Sequence, residues 1–241
     1  MGNQILTSAS YEQVENTFRK RLVELLGNQI LLYCVTGSLG RNQIIPGWSD
    51  IDVFVIINEY NPQILQFLHD ALSDNKSGIK IGVTIYSVKE YQHTDIFFDP
   101  KSQFTLELIK QGLYKPLIAD PSITNALYAK KNVVQWFDSI NLTRLLFELK
   151  RNLLDFNRGK ERTVYKNIIT ILKILIYRRG IMCLSYTDTL VNAKEILKYP
   201  YCLPEVEEVA FPNTNIDDRY KSYIKFIVWL EDSLHRSNSS E

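Results

Sequence analysis

The feature that most constrains this chain is a pair of nearly unbroken apolar runs, one from Ile30 to Thr36 and one from Ile51 to Ile57. Their length and their β-branched and aromatic content suit buried strands. A glycine-containing stretch, Gly37-Ser38-Leu39-Gly40-Arg41, follows the first run directly, and a loop through Pro46-Gly47 leads to the second. A third strand is predicted over residues 79–87, again rich in β-branched residues.

Helical patterns surround these strands. Tyr11, Val14, Phe18, Leu22 and Leu25 share one helical face, with Ser10 and Gln13 as the expected capping box and Gly27 as the stop. Residues 62–72 and 104–111 read as further helices, and residues 114–119 as a short extended segment. Past residue 120 strand signals vanish. Residues 141–157, 164–179, 187–198 and 217–234 carry helical periodicity, and residues 200–212, with three prolines, read as loop. The segment 164–179 is apolar almost all round, as expected at the centre of a bundle. The fold class is therefore an α/β half followed by an all-helical half. The expected domains are 1–125 and 126–235, with a flexible tail at 236–241.

Other classes are disfavoured. The 241 residues carry a net charge of +1, so global charge points to no nucleic acid or membrane. The most apolar stretch, residues 168–184, is broken by Lys173, Arg178, Arg179 and Gly180 and does not suit a bilayer. No signal-peptide pattern opens the chain. Three widely spaced cysteines fit neither a disulfide framework nor a zinc motif, so a cytoplasmic setting is expected.

The chemistry concentrates between residues 36 and 56. Side chains on a strand alternate faces, so Asp50 and Asp52 point one way while Ile51 and Val53 enter the core. Two carboxylates on one face repel each other, and a divalent cation between them relieves the repulsion. Magnesium takes one or two carboxylates and fills its remaining positions with phosphate oxygens and water. Gly37 allows close backbone approach to a phosphate, Ser38 offers a hydroxyl, and Arg41 adds charge. Carboxylates, metal and turn together suit phosphoryl or nucleotidyl transfer.

Gly37-Ser38, eleven residues, then Asp50-Ile51-Asp52 resembles the nucleotidyltransferase superfamily of the polymerase-β type. The resemblance implies a small mixed sheet flanked by helices, with Ser38 on the triphosphate and Asp50 and Asp52 on magnesium. It also implies an activity: transfer of a nucleoside monophosphate from an NTP such as ATP to a hydroxyl acceptor. The helical second half is similar to the aminoglycoside and lincosamide nucleotidyltransferases, as is residues 170–175 followed by Gly180 and Ser185. Expected acceptors are an antibiotic-like small molecule, a protein or an RNA end.

One position departs from the pattern. The family places a third carboxylate on a later strand, and in the streptomycin-type enzymes it stands just before a Val-Thr-Ile. Here Gly82 precedes Val83-Thr84-Ile85. The strand match is shifted, or Glu90 or Asp95 takes the role, or the chain binds nucleotide or a partner protein without efficient transfer. A base of suitable pKa contributes about 10² to 10⁴ in rate, so its loss weakens catalysis without abolishing triphosphate binding.

Residues 140–180 hold ten basic residues against three acids, a local charge of +7. Lys166 and Lys173 lie seven apart on one helical face and are the candidates there for phosphate; a solvated face is the competing reading. Trp48, just before Asp50, either stacks on a base or packs the loop.

Overall fold

The structure is a computed structural model that describes residues 6–73, 75–93, 100–123, 134–211 and 215–238. The chain divides into two compact units, Met1–Phe137 and Asp138–Glu241.

In the first unit, helix α1 (Ser8–Leu26) precedes strand β1 (Ile30–Thr36), a single helical turn α2 (Gly37–Gly40) and strand β2 (Ile51–Ile57). Helix α3 (Pro62–Ser73), strand β3 (Ile81–Ser87), the short helix α4 (Val88–Gln92), helix α5 (Pro100–Lys110) and strand β4 (Ile118–Ala119) follow. The sheet is mixed, in the order β3-β2-β1-β4: β1 is antiparallel to β2 and β4, and β2 is parallel to β3.

Both faces of β2 are covered, which is why its apolar run has no polar alternation after Asp52. On one face Ile51, Val53, Val55 and Ile57 join Phe18, Leu22, Ile64 and Leu68 of α1 and α3 in the main core. On the other, Phe54 and Ile56 are also buried, and Phe54 meets the Tyr86 ring at 5.9 Å. Burying two leucine- or phenylalanine-sized side chains contributes roughly 3–6 kcal/mol before entropy is counted. Glu15, buried on α1, accepts hydrogen bonds from Tyr33 Oη and Arg19 Nε, both at 3.0 Å, which ties α1 to β1.

The helical unit contains α6 (Val134–Leu154), α7 (Arg158–Tyr177), α8 (Tyr186–Glu195), α9 (Val206–Ala210) and α10 (Ile216–Asn238). Helix α7 packs against α8, α9 and α10, and buries Val164, Ile168, Ile171, Leu172 and Ile174 on several sides, as its all-round apolarity predicts. At its first turn Glu161 and Arg219 form a buried ion pair, with 3.0 Å between Glu161 Oε2 and Arg219 Nη2; Tyr223 Oη donates to the same carboxylate at 3.1 Å. None of the described helices is long and apolar enough to cross a membrane.

Three local expectations are corrected. The capping box of α1 is Thr7 with Ser10, not Ser10 with Gln13, because the helix starts at Ser8, three residues before its first buried aromatic, Tyr11. The proline-containing stretch 200–212 holds the single turn α9, which buries Val206 and Val209. The last helix runs to Asn238, past the point where the tail was expected to begin.

Candidate functional site

Because β1 and β2 are antiparallel, the end of β1 and the start of β2 lie side by side. Thr36 pairs with Asp52 across the ladder, and Thr36 Oγ1 donates to the Asp52 carbonyl at 3.3 Å. Gly37-Ser38 therefore begins its turn next to the carboxylate. The turn closes on itself: Ser38 O accepts from Gln43 N at 2.8 Å and from Arg41 N at 3.3 Å.

Gly37 has φ +62, a conformation that favours glycine. A Cβ there would also run into Asp52 Oδ2 and stand 3.1 Å from Asp52 Cγ. Gly40 is held as closely, since a Cβ on it would meet the Val35 carbonyl and lie 3.2 Å from Tyr114 Cδ1. The two glycines let the turn sit tightly against the strand end.

Across β2 the neighbour of Asp52 is Gly82, paired with it in the parallel ladder. A Cβ at position 82 would stand 3.4 Å from Asp52 Oδ1, an ordinary contact. Asp52 thus projects between two glycines, one against each carboxylate oxygen, and is half-buried. Asp50 sits one residue before β2, is also half-buried, and is followed by Ile51, whose N–H bonds Lys80 O at 2.9 Å. The alternation expected at Ile51 and Val53 is present: both are fully buried in the core.

Tyr114 completes this cluster, and the sequence reading gave it no role. Its hydroxyl accepts from Gly37 N at 3.1 Å and, at closer range, from Arg41 Nη1, while Arg41 Nε donates to Gln43 Oε1 at 3.2 Å. The Arg41 guanidinium also lies 5.8 Å from the centre of the Tyr114 ring. Burial pushes the Tyr114 phenol above its ordinary range; Arg41 and the Gly37 N–H oppose the shift, and the Asp52 carboxylate adds to it.

The remaining candidates fall elsewhere. Glu90 caps α4, its Oε2 accepting from Ser87 N at 2.7 Å and its N–H bonding Ser87 Oγ. Ser87 ends β3, five residues beyond Gly82 and so roughly 16 Å along the strand. The structure does not bring Glu90 to Asp52, and it places Gly82 itself at the position beside that carboxylate. Asp95 lies outside the described residues. Lys166 and Lys173 belong to α7 in the helical unit. Lys173 Nζ donates to Leu184 O at 2.9 Å and lies 5.9 Å from the Tyr186 ring centre, contacts that close the α7–α8 connection. Trp48 is buried, which favours packing of the loop over an exposed stacking surface.

Among the described residues no three His, Cys, Asp or Glu side chains cluster as a metal site. The acidic pair alone fits magnesium, which completes its shell with phosphate and water, better than a metal that needs an all-protein cage.

Residues 15–115 match the family model described as nucleotidyltransferase domain. That span contains Gly37, Ser38, Asp50, Asp52, Gly82 and Tyr114. Among solved structures, the chain is similar to spectinomycin adenyltransferase AAD(9) from Enterococcus faecialis with ATP and spectinomycin. The TM-score is 0.55 at 13% identity, over 92% of this chain and 98% of that one. At that identity the likeness is one of fold, and it extends the resemblance from the sheet to the helical half. No curated protein matches the sequence.

Proposed function

We propose that this protein is a magnesium-dependent nucleotidyltransferase that moves a nucleoside monophosphate from an NTP to a hydroxyl acceptor. The observation that carries the reading is the fit of the Gly37-Ser38 turn against the Asp52 carboxylate. The domain match over residues 15–115 supports nucleotidyl transfer as the general activity. ATP is the preferred donor and an antibiotic-like small molecule the preferred acceptor, because the solved neighbour holds ATP and spectinomycin.

The roles follow from the positions. Gly37 lets the backbone of the turn approach a phosphate without a side chain intervening. The Ser38 hydroxyl donates to a phosphate oxygen, and the Arg41 guanidinium supplies fixed positive charge at the same turn. Asp50 and Asp52 would hold the cation, with the Asp52 carboxylate lying against the turn. When bound, magnesium offsets the charge that builds on the phosphate oxygens. The acceptor hydroxyl oxygen attacks the α-phosphorus and its proton passes to water; the α-phosphorus bond to the bridging oxygen breaks, and pyrophosphate leaves with that electron pair. The cytoplasm, where ATP is abundant and thiols stay reduced, is the proposed setting.

Gly82 favours a second reading: a nucleotide-binding or partner-binding protein that retains the fold and turns over slowly. Calorimetry with ATP, GTP, CTP and UTP, with and without magnesium, on the wild type, Asp50→Asn and Asp52→Asn tests the site. The proposal expects magnesium-dependent binding that falls in both variants to the level seen without metal. Binding that ignores metal and both substitutions would sink the assignment. Metal-dependent binding without pyrophosphate release across a panel of hydroxyl acceptors would select the second reading.

A further inference from the structure

The Tyr114 hydroxyl is placed where the proposed nucleotide site assigns no residue. A phenol has one O–H and two acceptor lone pairs. Both acceptor positions are engaged, one by Gly37 N–H at 3.1 Å and the other by Arg41 Nη1. Toward any further group the hydroxyl can act only as a donor. The ring is buried, 3% exposed, and packs beside Gly40, so the hydroxyl is fixed against the turn rather than swinging free. Its oxygen is within electrostatic reach of Asp52, the carboxylate on which the metal assignment rests.

We infer that Tyr114 is a triphosphate-binding residue: its hydroxyl, held by Gly37 and Arg41, donates its proton to a phosphate oxygen. Two donors polarise the O–H that they feed, which strengthens the bond it makes onward. The acceptor is anionic, so the bond is charge-assisted. A phenol carries its proton at neutral pH, so the hydroxyl has one to give. The ligand class is the phosphate chain of a nucleotide, so the inference rests on the proposed function.

The competing role is that of a strut, in which Tyr114 acts only by holding Arg41. The two differ in a double-mutant cycle read by calorimetry with magnesium–ATP on wild type, Tyr114→Phe, Arg41→Gln and the double variant. The donor role expects Tyr114→Phe to bind about tenfold more weakly, and to keep most of that loss in the Arg41→Gln background. A Tyr114→Phe effect that disappears once Arg41 is gone leaves only the strut and overturns the inference, as does unchanged binding in Tyr114→Phe. Wild-type protein that fails to bind magnesium–ATP overturns the inference and the site together, which separates that failure from the others.

Should Tyr114→Phe lose its folding transition, 3-fluorotyrosine at position 114 keeps ring and hydroxyl. It makes the hydroxyl a better donor and a poorer acceptor. Tighter ATP binding at a pH where the phenol stays protonated supports the donor role; weaker binding overturns it.

Discussion

Gly37 and Asp52 claim the same space: a side chain on the first would occupy the position of the carboxylate on the second. The relationship is set by the β1–β2 ladder, where Thr36 and Asp52 are partners, and by the φ of +62 that turns the chain over the strand end. The Gly37-Ser38 turn and the Asp52 carboxylate, proposed above to hold phosphate and metal, are therefore one unit, and a change to either moves both.

Gly37→Ala accordingly costs more than a turn glycine would. A left-handed non-glycine residue alone costs roughly 1–3 kcal/mol, and the Cβ must also push Asp52 aside. We expect lower stability in chemical denaturation and loss of magnesium–ATP binding. Gly47→Ala serves as the control: its φ is also positive, at +78, but nothing stands within 4 Å of its Cβ position. Equal losses of ATP binding in the two variants would contradict the interlock.

Gly82→Glu is the informative gain. Position 82 has no positive φ and room for a Cβ beside Asp52 Oδ1. Another carboxylate there adds like-charge repulsion in the metal-free protein and a metal ligand when magnesium arrives. The variant is expected to melt lower without magnesium and to recover when it is added. If transfer is limited by the missing base, pyrophosphate release rises by about 10². A melting temperature insensitive to magnesium would show that the new carboxylate does not reach the site.

In the helical unit, Arg219→Ala should destabilise strongly. Glu161 is 3% exposed, and removing its partner leaves a buried charge held by the Tyr223 hydroxyl alone among its bonds described above. Breaking such a pair costs about 3–5 kcal/mol. Replacing both members by apolar residues of similar volume should cost far less, a contrast that urea titrations of the two variants measure directly.

The cysteines predict a labelling order. Cys202 is exposed, whereas burial pushes the Cys34 thiol up to about 12 and the Cys183 thiol up to about 11. A thiol reagent at mildly alkaline pH should modify Cys202 rapidly and the other two only at the rate of unfolding. The sign of the linkage is fixed by the upward shifts. The stability from keeping these thiols neutral is complete below the unfolded value near 9. It is lost as pH rises toward 11 and 12, because only the unfolded chain ionises in between. Rapid reaction of all three would refute the burial of Cys34 and Cys183.

The strands and the place of Asp52 were legible because their signals are local. Ile51 and Val53 flank Asp52 and are buried, so a two-residue period suffices to send Asp52 to the other side. Tyr114 was not legible, since its bond to Gly37 N spans 77 residues and nothing near Tyr114 announces it. Glu90 misled for the opposite reason. It is close to β3 in sequence, but at the end of the strand remote from Gly82, and a capping serine at Ser87 explains it better. The cap of α1 was displaced because Thr7 and Ser10 are both capable caps, and only the start of the hydrogen-bond ladder chooses between them.

The β2 register has a consequence for any preparation of this protein. A slip of one residue would turn Asp52 into the apolar layer beneath α1 and α3 and send Ile51 and Val53 to the opposite face. A chain so paired would bury an uncompensated carboxylate and would not persist as a compact species. Native-like molecules with a scrambled site are therefore selected against by the sheet itself. Under the proposed function, the number of ATP molecules bound per chain serves as a head-count of correctly folded protein.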